Sequence, residues 1–435
     1  MIRLGSALGA TAVAAVALAL GWQLAGGAGG RPGPDAAGAG AGPGTPSADP
    51  LARARELARR WLLVDTHIDL PYRLVGGGEE PTSLAGRTAK GDFDAVRARE
   101  GGLDVAWMSI YIPASYQTEG GARALADELI DLVEGIAAAH PDIFEVARGA
   151  EQAVEISRSG RIALPLGMEN GAGIEDDLAN LRHFRERGIG YITLTHSEDN
   201  LISDSSYSDP DTRRWHGISP FGREVVAEMN RLGILVDVSH VSDEAFDAVI
   251  EATLAPPIAS HSSCRHFTPG FERNLDDERI RRLAEAGGVI QINFGSGFLT
   301  AAANAWSAEA RPAAEAFVEE HGVGFDSPEF KAWMADYLAA KPLPRATLDD
   351  VVAHIEHVIE VAGVDHVGFG SDFDGVGPTL PEELADVSMY PNLIARLLER
   401  GHSEADVEKI AGGNLLRVWR EAEQVALELQ AAAAP

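Results

Sequence analysis

The chain has 435 residues, enough for one large α/β barrel or two ordinary domains, and its 45% hydrophobic and 23% charged residues are those of a protein with a sizeable core. Its 66 acidic residues against 36 basic ones leave a formal charge of −30, so the surface repels polyphosphate and anionic lipid headgroups, which argues against nucleic acid as a partner. The single cysteine, Cys264, rules out an intramolecular disulfide framework and every cysteine-rich zinc module, leaving His, Asp and Glu as ligands for any metal.

After Arg3 no charge occurs until Arg31, and Thr11 to Leu20 is an Ala/Leu/Val-rich core of the secretory type. Residues 1–25 therefore predict export to the periplasmic or extracellular face. A cleaved signal peptide and an uncleaved membrane anchor fit equally well, because Leu8 to Ala25 approaches the length of a bilayer span. Residues 26–50 are almost wholly Gly, Ala and Pro and read as a flexible linker, with nothing to offset the entropy of ordering. The folded body is predicted over 51–429, opening on the charged amphipathic stretch Arg53 to Arg60.

Across the body, short apolar or β-branched runs alternate with longer helical patterns, the signature of βα units and a parallel sheet. The runs are Trp61 to Val64, Val105 to Ile112, Ile162 to Gly167, Tyr191 to Thr195, Ile234 to Val238, Pro257 to Ser260, Gly288 to Asn293 and His366 to Gly370. Eight strands with intervening helices predict a closed (β/α)8 TIM barrel over an open sheet. Ala301 to Pro344 holds no strand-like run but much Ala, Glu and Trp, and reads as a helical insertion after the seventh strand.

Nearly every run leads into an ionisable residue: Val64 into Asp65, His67 and Asp69, Leu166 into Glu169, Leu194 into His196, Val238 into His240, Ala259 into His261, and Phe369 into Asp372. In a barrel those ends converge on the one face where active sites sit. His67 and Asp69, two apart on a strand, project toward one cation, although an isolated H-x-D is more often a hydrogen-bonded pair or a turn. Glu169 has two oxygens that could bridge two metals; capping the next helix is an equal alternative for it taken singly. His240 and His261, taken singly, read as core histidines with satisfied nitrogens. Gathered at one barrel end without metal, three histidines and three carboxylates would leave costly unpaired charge.

Imidazole and carboxylate donors without thiolate suit zinc, with manganese, cobalt and iron also compatible. Asp372, Asp374, Gly377 and Glu383 match a calcium loop only in part, since Val376 stands at a ligand position. His140, His183, His354, His357 and His402 lie in polar helical or turn contexts and read as solvated; His216 and His266, in loops, take no assignment.

Together these residues resemble the membrane dipeptidase, or renal dipeptidase, family of zinc peptidases in the amidohydrolase superfamily. The resemblance runs from Asp65 to Trp419 through DTHIDLP at 65–71, GMENG at 167–171, LTHS at 194–197, PFGREVV at 220–226, LVDVSHVSD at 235–243, IASHSS at 258–263, RNLDDE at 273–278, GFGSDFDG at 368–375 and GGNLLRV at 412–418. It implies two zinc ions, with His67 and Asp69 on one, His240 and His261 on the other, Glu169 bridging them, and a metal-bridged hydroxide attacking the peptide carbonyl. It implies that Asp372 moves the proton to the leaving amine and that His196 contacts the carbonyl oxygen and stabilises the oxyanion. Arg273 and its neighbour Asn274 would bind the substrate, Arg273 clamping the free C-terminal carboxylate.

The activity so implied is hydrolysis of LL dipeptides, extending to LD ones because the family tolerates a D-residue at the second position, and the family precedent is a homodimer. Animal members rely on disulfides and a C-terminal lipid anchor, whereas here the N-terminal segment would serve for membrane attachment. Family members vary after the seventh strand, and the long insertion there leaves the pocket for the second side chain unassigned. Two other readings compete: an amidohydrolase reaction on lactones, phosphotriesters or acyl-amino acids, and an exported metal- or solute-binding protein without turnover. The second would need the ligands but not Asp372 as a proton shuttle.

Overall fold

The computed structural model describes residues 49–77, 80–325 and 327–433. The expected export segment, 1–25, and all but the last two residues of the expected linker lie outside them. Asp49 caps the first described helix, Pro50–Ala58, by accepting from the Leu51 N–H, and Pro at the first helical position has no N–H to leave unsatisfied. No helix among the described residues is long and apolar enough to cross a membrane.

Ten strands form one sheet: β1 Leu63–Ile68, β2 Leu103–Tyr111, β3 Phe144–Glu145, β4 Ile162–Ala163, β5 Leu166–Glu169, β6 Ile189–Thr193, β7 Leu235–Asp237, β8 Ile258–Ser262, β9 Val289–Ile292 and β10 Val367–Phe369. All pairings are parallel, and β1, β2, β5, β6, β7, β8, β9 and β10 neighbour one another in chain order, with β4 and β3 as a short spur on β2. Residues of β1 and β5 to β10 are buried throughout, as required of strands covered on both faces.

Two details differ from expectation. The run Ile162 to Gly167 is broken by Pro165, which has no N–H for a ladder, into β4 and β5. The ring of eight is also not closed by a ladder, because β10 has only three residues before the chain turns at Asp372, where φ is 64°. Instead, β1 and the segment after β10 are stitched by an isolated bridge between Ile68 and Phe373 and by two backbone bonds, Asp69 N–H to the Phe373 carbonyl (2.8 Å) and Asp372 N–H to the His67 carbonyl (3.1 Å).

The outer helices carry the local signals that the sequence advertises. Pro220–Leu232 starts at Ser219, whose hydroxyl accepts from Gly222 N–H, and stops at Gly233 in the left-handed region (φ 71°). The main apolar core lies between helices and sheet. A second cluster plugs the N-terminal end of the strands: Val64, Val105, Trp107, Leu235, Ile258 and Val289 meet Leu415, Val418 and Trp419 of the last helix, Asn414–Ala433. After β9 the predicted insertion is helical, Ala301–His321 followed by Pro328–Ala340, with a small core of its own around Ala314, Val318, Phe330 and Met334.

His354 corrects the reading of it as solvated: it is fully buried, its Nδ1 accepting from Cys264 N–H and its Nε2 bonded to the Leu299 carbonyl, both at 3.0 Å. Burial pushes its imidazole down to about 4, so it serves as a neutral brace between the helix Leu348–Ala362 and the segment after β8.

Candidate metal centre

Parallel strands alternating with helices bring every strand's C-terminal end to one rim, and the polar residues follow. His67 lies within β1, with Asp69 just past it; Glu169 ends β5; His261 lies within β8; and His196, His240 and Asp372 each stand three residues beyond β6, β7 and β10. Asp69 and Asp372 are 8% exposed, and the other five are less so.

Glu169 is the hub. Its Oε2 lies 3.3 Å from His67 Nε2, and its Oε1 lies 3.0 Å from His240 Nε2 and 3.4 Å from the Nε2 atoms of both His196 and His261. His240 Nε2 and His261 Nε2 are 2.9 Å apart, a contact that needs a shared proton or a cation between two lone pairs. His67 Nε2 is 3.5 Å from Asp69 Oδ2. Three overlapping triads each bring one donor atom per residue within 4.8 Å of the others: His67, Glu169 and His261; Glu169, His196 and His240; His67, Asp69 and Asp372.

Surrounding side chains aim these donors. His67 Nδ1 is 2.8 Å from the Tyr191 hydroxyl, which donates to the Thr66 carbonyl at 3.1 Å, so Nδ1 carries a proton and Nε2 is the nitrogen that faces Glu169. Gly167 makes this possible, because a Cβ there would sit 2.0 Å from the Tyr191 ring. His261 Nδ1 is held at 2.7 Å by the Ser260 hydroxyl, which donates to Asp237 at 2.6 Å, and Asp237 also accepts from the N–H groups of Ser239 and Ser260. Ser109 donates to Glu169 Oε2 at 3.2 Å, and Asn293 donates to Asp372 Oδ2 at 2.7 Å.

Asp65 does not join the ligands. Its carboxylate collects the N–H groups of His67 and Ser371 and the hydroxyls of Ser371 and Tyr390, welding β1 to the segment after β10.

The backbone is strained where the donors need it. His240 (φ 69°) and Asp372 (φ 64°), both buried at the rim, adopt the left-handed region that non-glycine residues seldom occupy. At 375 only glycine fits, since a Cβ would lie 2.2 Å from both Asp69 Oδ2 and Asp372 Oδ1.

Burial holds His240 and His261 well below the ordinary imidazole range, which favours the neutral ligand form. Burial opposes the charge on Glu169, yet His67 first of all, with the other histidines around it, holds its carboxyl well below the usual carboxylate range. Burial, and then the charge of Asp69, push Asp372 well up. His67 runs the other way: burial disfavours its cation, but Tyr191, Asp69 and Glu169 raise it well above the ordinary value, so its surroundings favour positive charge at this point, as a divalent ion would supply. His67 Nε2 and Asp69 Oδ1 are buried without hydrogen-bond partners, and together with the neutral imidazoles of His240 and His261 and the Glu169 carboxylate they fit a divalent metal.

Beside the centre, Arg273 is 2% exposed, its guanidinium donating to Ser262 Oγ (2.7 Å) and to the His261 carbonyl (2.9 Å), with its carbon 5.3 Å from the centre of the Phe298 ring. Among the described residues no carboxylate is ion-paired with it, an arrangement that suits an anionic ligand. Asn274, expected with it as a substrate contact, has its amide committed elsewhere: Nδ2 donates to Thr268 Oγ1 and the Phe298 carbonyl, and Oδ1 accepts from Ser263 N–H. It shapes the loop that carries Arg273.

The sequence reading missed Tyr191, Asp237, Ser260 and Asn293. Asn293 was detectable, being one more polar residue just past a strand, as were Asp237 at the end of β7 and Ser260 beside His261, whereas Tyr191 reaches His67 only through the fold.

A family model described as membrane dipeptidase, peptidase family M19, matches residues 51–433. An uncharacterized dipeptidase of Schizosaccharomyces pombe is 34% identical over 393 residues, covering 87% of this chain and 84% of the relative. The crystal structure of the probable dipeptidase PvdM from Pseudomonas aeruginosa superposes with a TM-score of 0.73 at 28% identity, over 87% of this chain and 99% of that one. A metallopeptidase from Rhodobacter sphaeroides, solved with a phosphinate mimic of the dipeptide L-Ala-D-Ala, gives a TM-score of 0.68 at 25% identity, over 83% and 99%.

Proposed function

Because the chain belongs to the membrane dipeptidase family, peptidase family M19, we propose that it hydrolyses the peptide bond of LL and LD dipeptides at a centre holding two zinc ions bridged by Glu169. The observation that carries this is the divided carboxylate of Glu169, one oxygen toward His67 and the other toward His240 and His261. His67 and Asp69 would hold one ion, and His240 and His261 the other. When bound, zinc supplies a water acidified toward neutral pH and polarises the scissile carbonyl.

The rest is the work of side chains. Asp372, anchored through Oδ2 by Asn293 and given a raised proton affinity by burial, takes a proton from the attacking water and hands it to the leaving amine. His196, whose basicity burial lowers, is a neutral donor at the rim for the oxygen that becomes negative. Arg273, buried and without a carboxylate partner among the described residues, receives the free C-terminal carboxylate, which selects dipeptides over longer chains. The L-Ala-D-Ala mimic in the Rhodobacter sphaeroides relative supports a D-residue at the second position. Export through residues 1–25 belongs to the same proposal.

The test is an assay of the full chain on LL and LD dipeptides and the matching tripeptides, with chelator and then with zinc restored. Dipeptides are expected to be cleaved, tripeptides far more slowly, and chelation to abolish activity reversibly. Equal rates on tripeptides would remove the Arg273 clamp, and a zinc-loaded, folded protein inert toward every dipeptide would overturn the proposal.

A further inference from the structure

Away from the centre, three donors from three elements meet near the surface. His266 lies in the short turn Arg265–Phe267, Asp277 is the first residue of the helix Asp277–Glu285, and His357 belongs to the helix Leu348–Ala362. His357 Nε2 is 2.8 Å from Asp277 Oδ1, the His266 and His357 rings stack with centroids 4.4 Å apart, and one donor atom from each residue lies within 4.8 Å of the others.

The competing cations are occupied. Arg265 pairs with Asp243, Arg279 with Asp276 and Asp247, and no arginine or lysine pairs with Asp277 among the described residues. His266 is exposed, and its ring meets those of Phe267 and His357 with no hydrogen bond to it among the described residues. Tetrahedral zinc with bonds of about 2.0–2.1 Å needs ligands roughly 3.3 Å apart, against donor atoms that here lie within 4.8 Å of one another, with the exposed His266 ring the one to adjust. His354, one turn away from His357, takes no part because both of its nitrogens are engaged inside the fold.

We propose that His266, Asp277 and His357 form an auxiliary site for zinc or a divalent cation of similar taste, with water completing its shell. Two imidazoles and a carboxylate are the donor set zinc prefers when thiolate is absent. His266 and Asp277 flank the loop that carries Arg273, so an ion there clips both ends of that loop to the helix Leu348–Ala362. Binding at this site is independent of the dipeptidase reading; only the consequence for Arg273 rests on it.

Calorimetric titration of zinc into the full chain, first stripped of metal by chelator, tests the site. Wild type is expected to show one further binding event beyond those of the central pair, which His266→Ala and His357→Ala each lose while dipeptide kcat, measured with zinc restored, is kept. Glu169→Gln, which cripples only the central site, is expected to retain it. No further binding in wild type, the same binding in His266→Ala, or its loss in Glu169→Gln would each overturn the site. If His357→Ala fails to fold, His266→Ala decides alone, since that side chain is exposed. Absent dipeptidase activity with the extra binding intact would instead count against the central reading.

Discussion

The two ends of the eight barrel strands are built from opposite chemistry. At the N-terminal end Val64, Val105, Trp107 and Val289 pack on the last helix, with the Trp107 and Trp419 rings 4.6 Å apart. At their other end the barrel strands deliver His67, Glu169 and His261 to a rim of buried imidazoles and carboxylates, with left-handed backbone at His240 and Asp372. One end stores stability. The other spends backbone strain and desolvation on holding donors in place, which a fold tolerates only where the rest is securely packed.

Glu169→Gln should break the contrast most. It is expected to abolish dipeptide hydrolysis and lower bound zinc, measured by metal analysis, while the metal-free protein melts at a similar temperature because the apolar end is intact. A variant with full zinc and full activity would dismiss Glu169 as the hub. Asp372→Asn comes next, with zinc retained but kcat lowered by about 10²–10⁴-fold; unchanged turnover would rule out its proton role.

At the opposite end, Trp419→Ala is expected to cost about 3–5 kcal/mol in denaturant unfolding without altering kcat per folded molecule. A change in kcat at matched folded fraction would mean that the two ends are coupled.

The smallest effect belongs to Asp104 on β2, whose carboxyl burial pushes up to about 6 while it accepts from Leu63 N–H. The unfolded chain ionises near 3.9, so the folded state resists ionisation over the window between, and stability falls as pH rises from about 4 through 6. Asp104→Asn, which can still accept that bond, should therefore raise Tm at pH 8 and leave it nearly unchanged at pH 4. An equal shift at both pH values would remove this account.

The rim was legible in the sequence because it depends on local pattern. Each apolar run followed by a polar residue marks a strand and its C-terminal end, and the motifs DTHIDLP and GFGSDFDG name the residues that land there. Pro165 was visible too, yet its splitting of one run into β4 and β5 follows from which neighbours each half meets. His354 and His357 look alike on one helix, and only packing shows the first braced inside the fold and the second facing Asp277 and His266.

What the sequence determined by itself is therefore the alternation of strands and helices and the side of the sheet on which His67, Glu169, His196, His240, His261 and Asp372 emerge, since right-handed βα connections leave all C-terminal ends on one face. Tertiary structure alone decided which nitrogen each imidazole offers, through Tyr191 and Asp237, how β1 meets the segment after β10, and that Asn274 serves its own loop. Strand period and turn chemistry act over a few residues, whereas a hydrogen bond that joins different elements, such as Ser260 to Asp237 across 23 residues or His67 to Tyr191 across 124, has no signature in either.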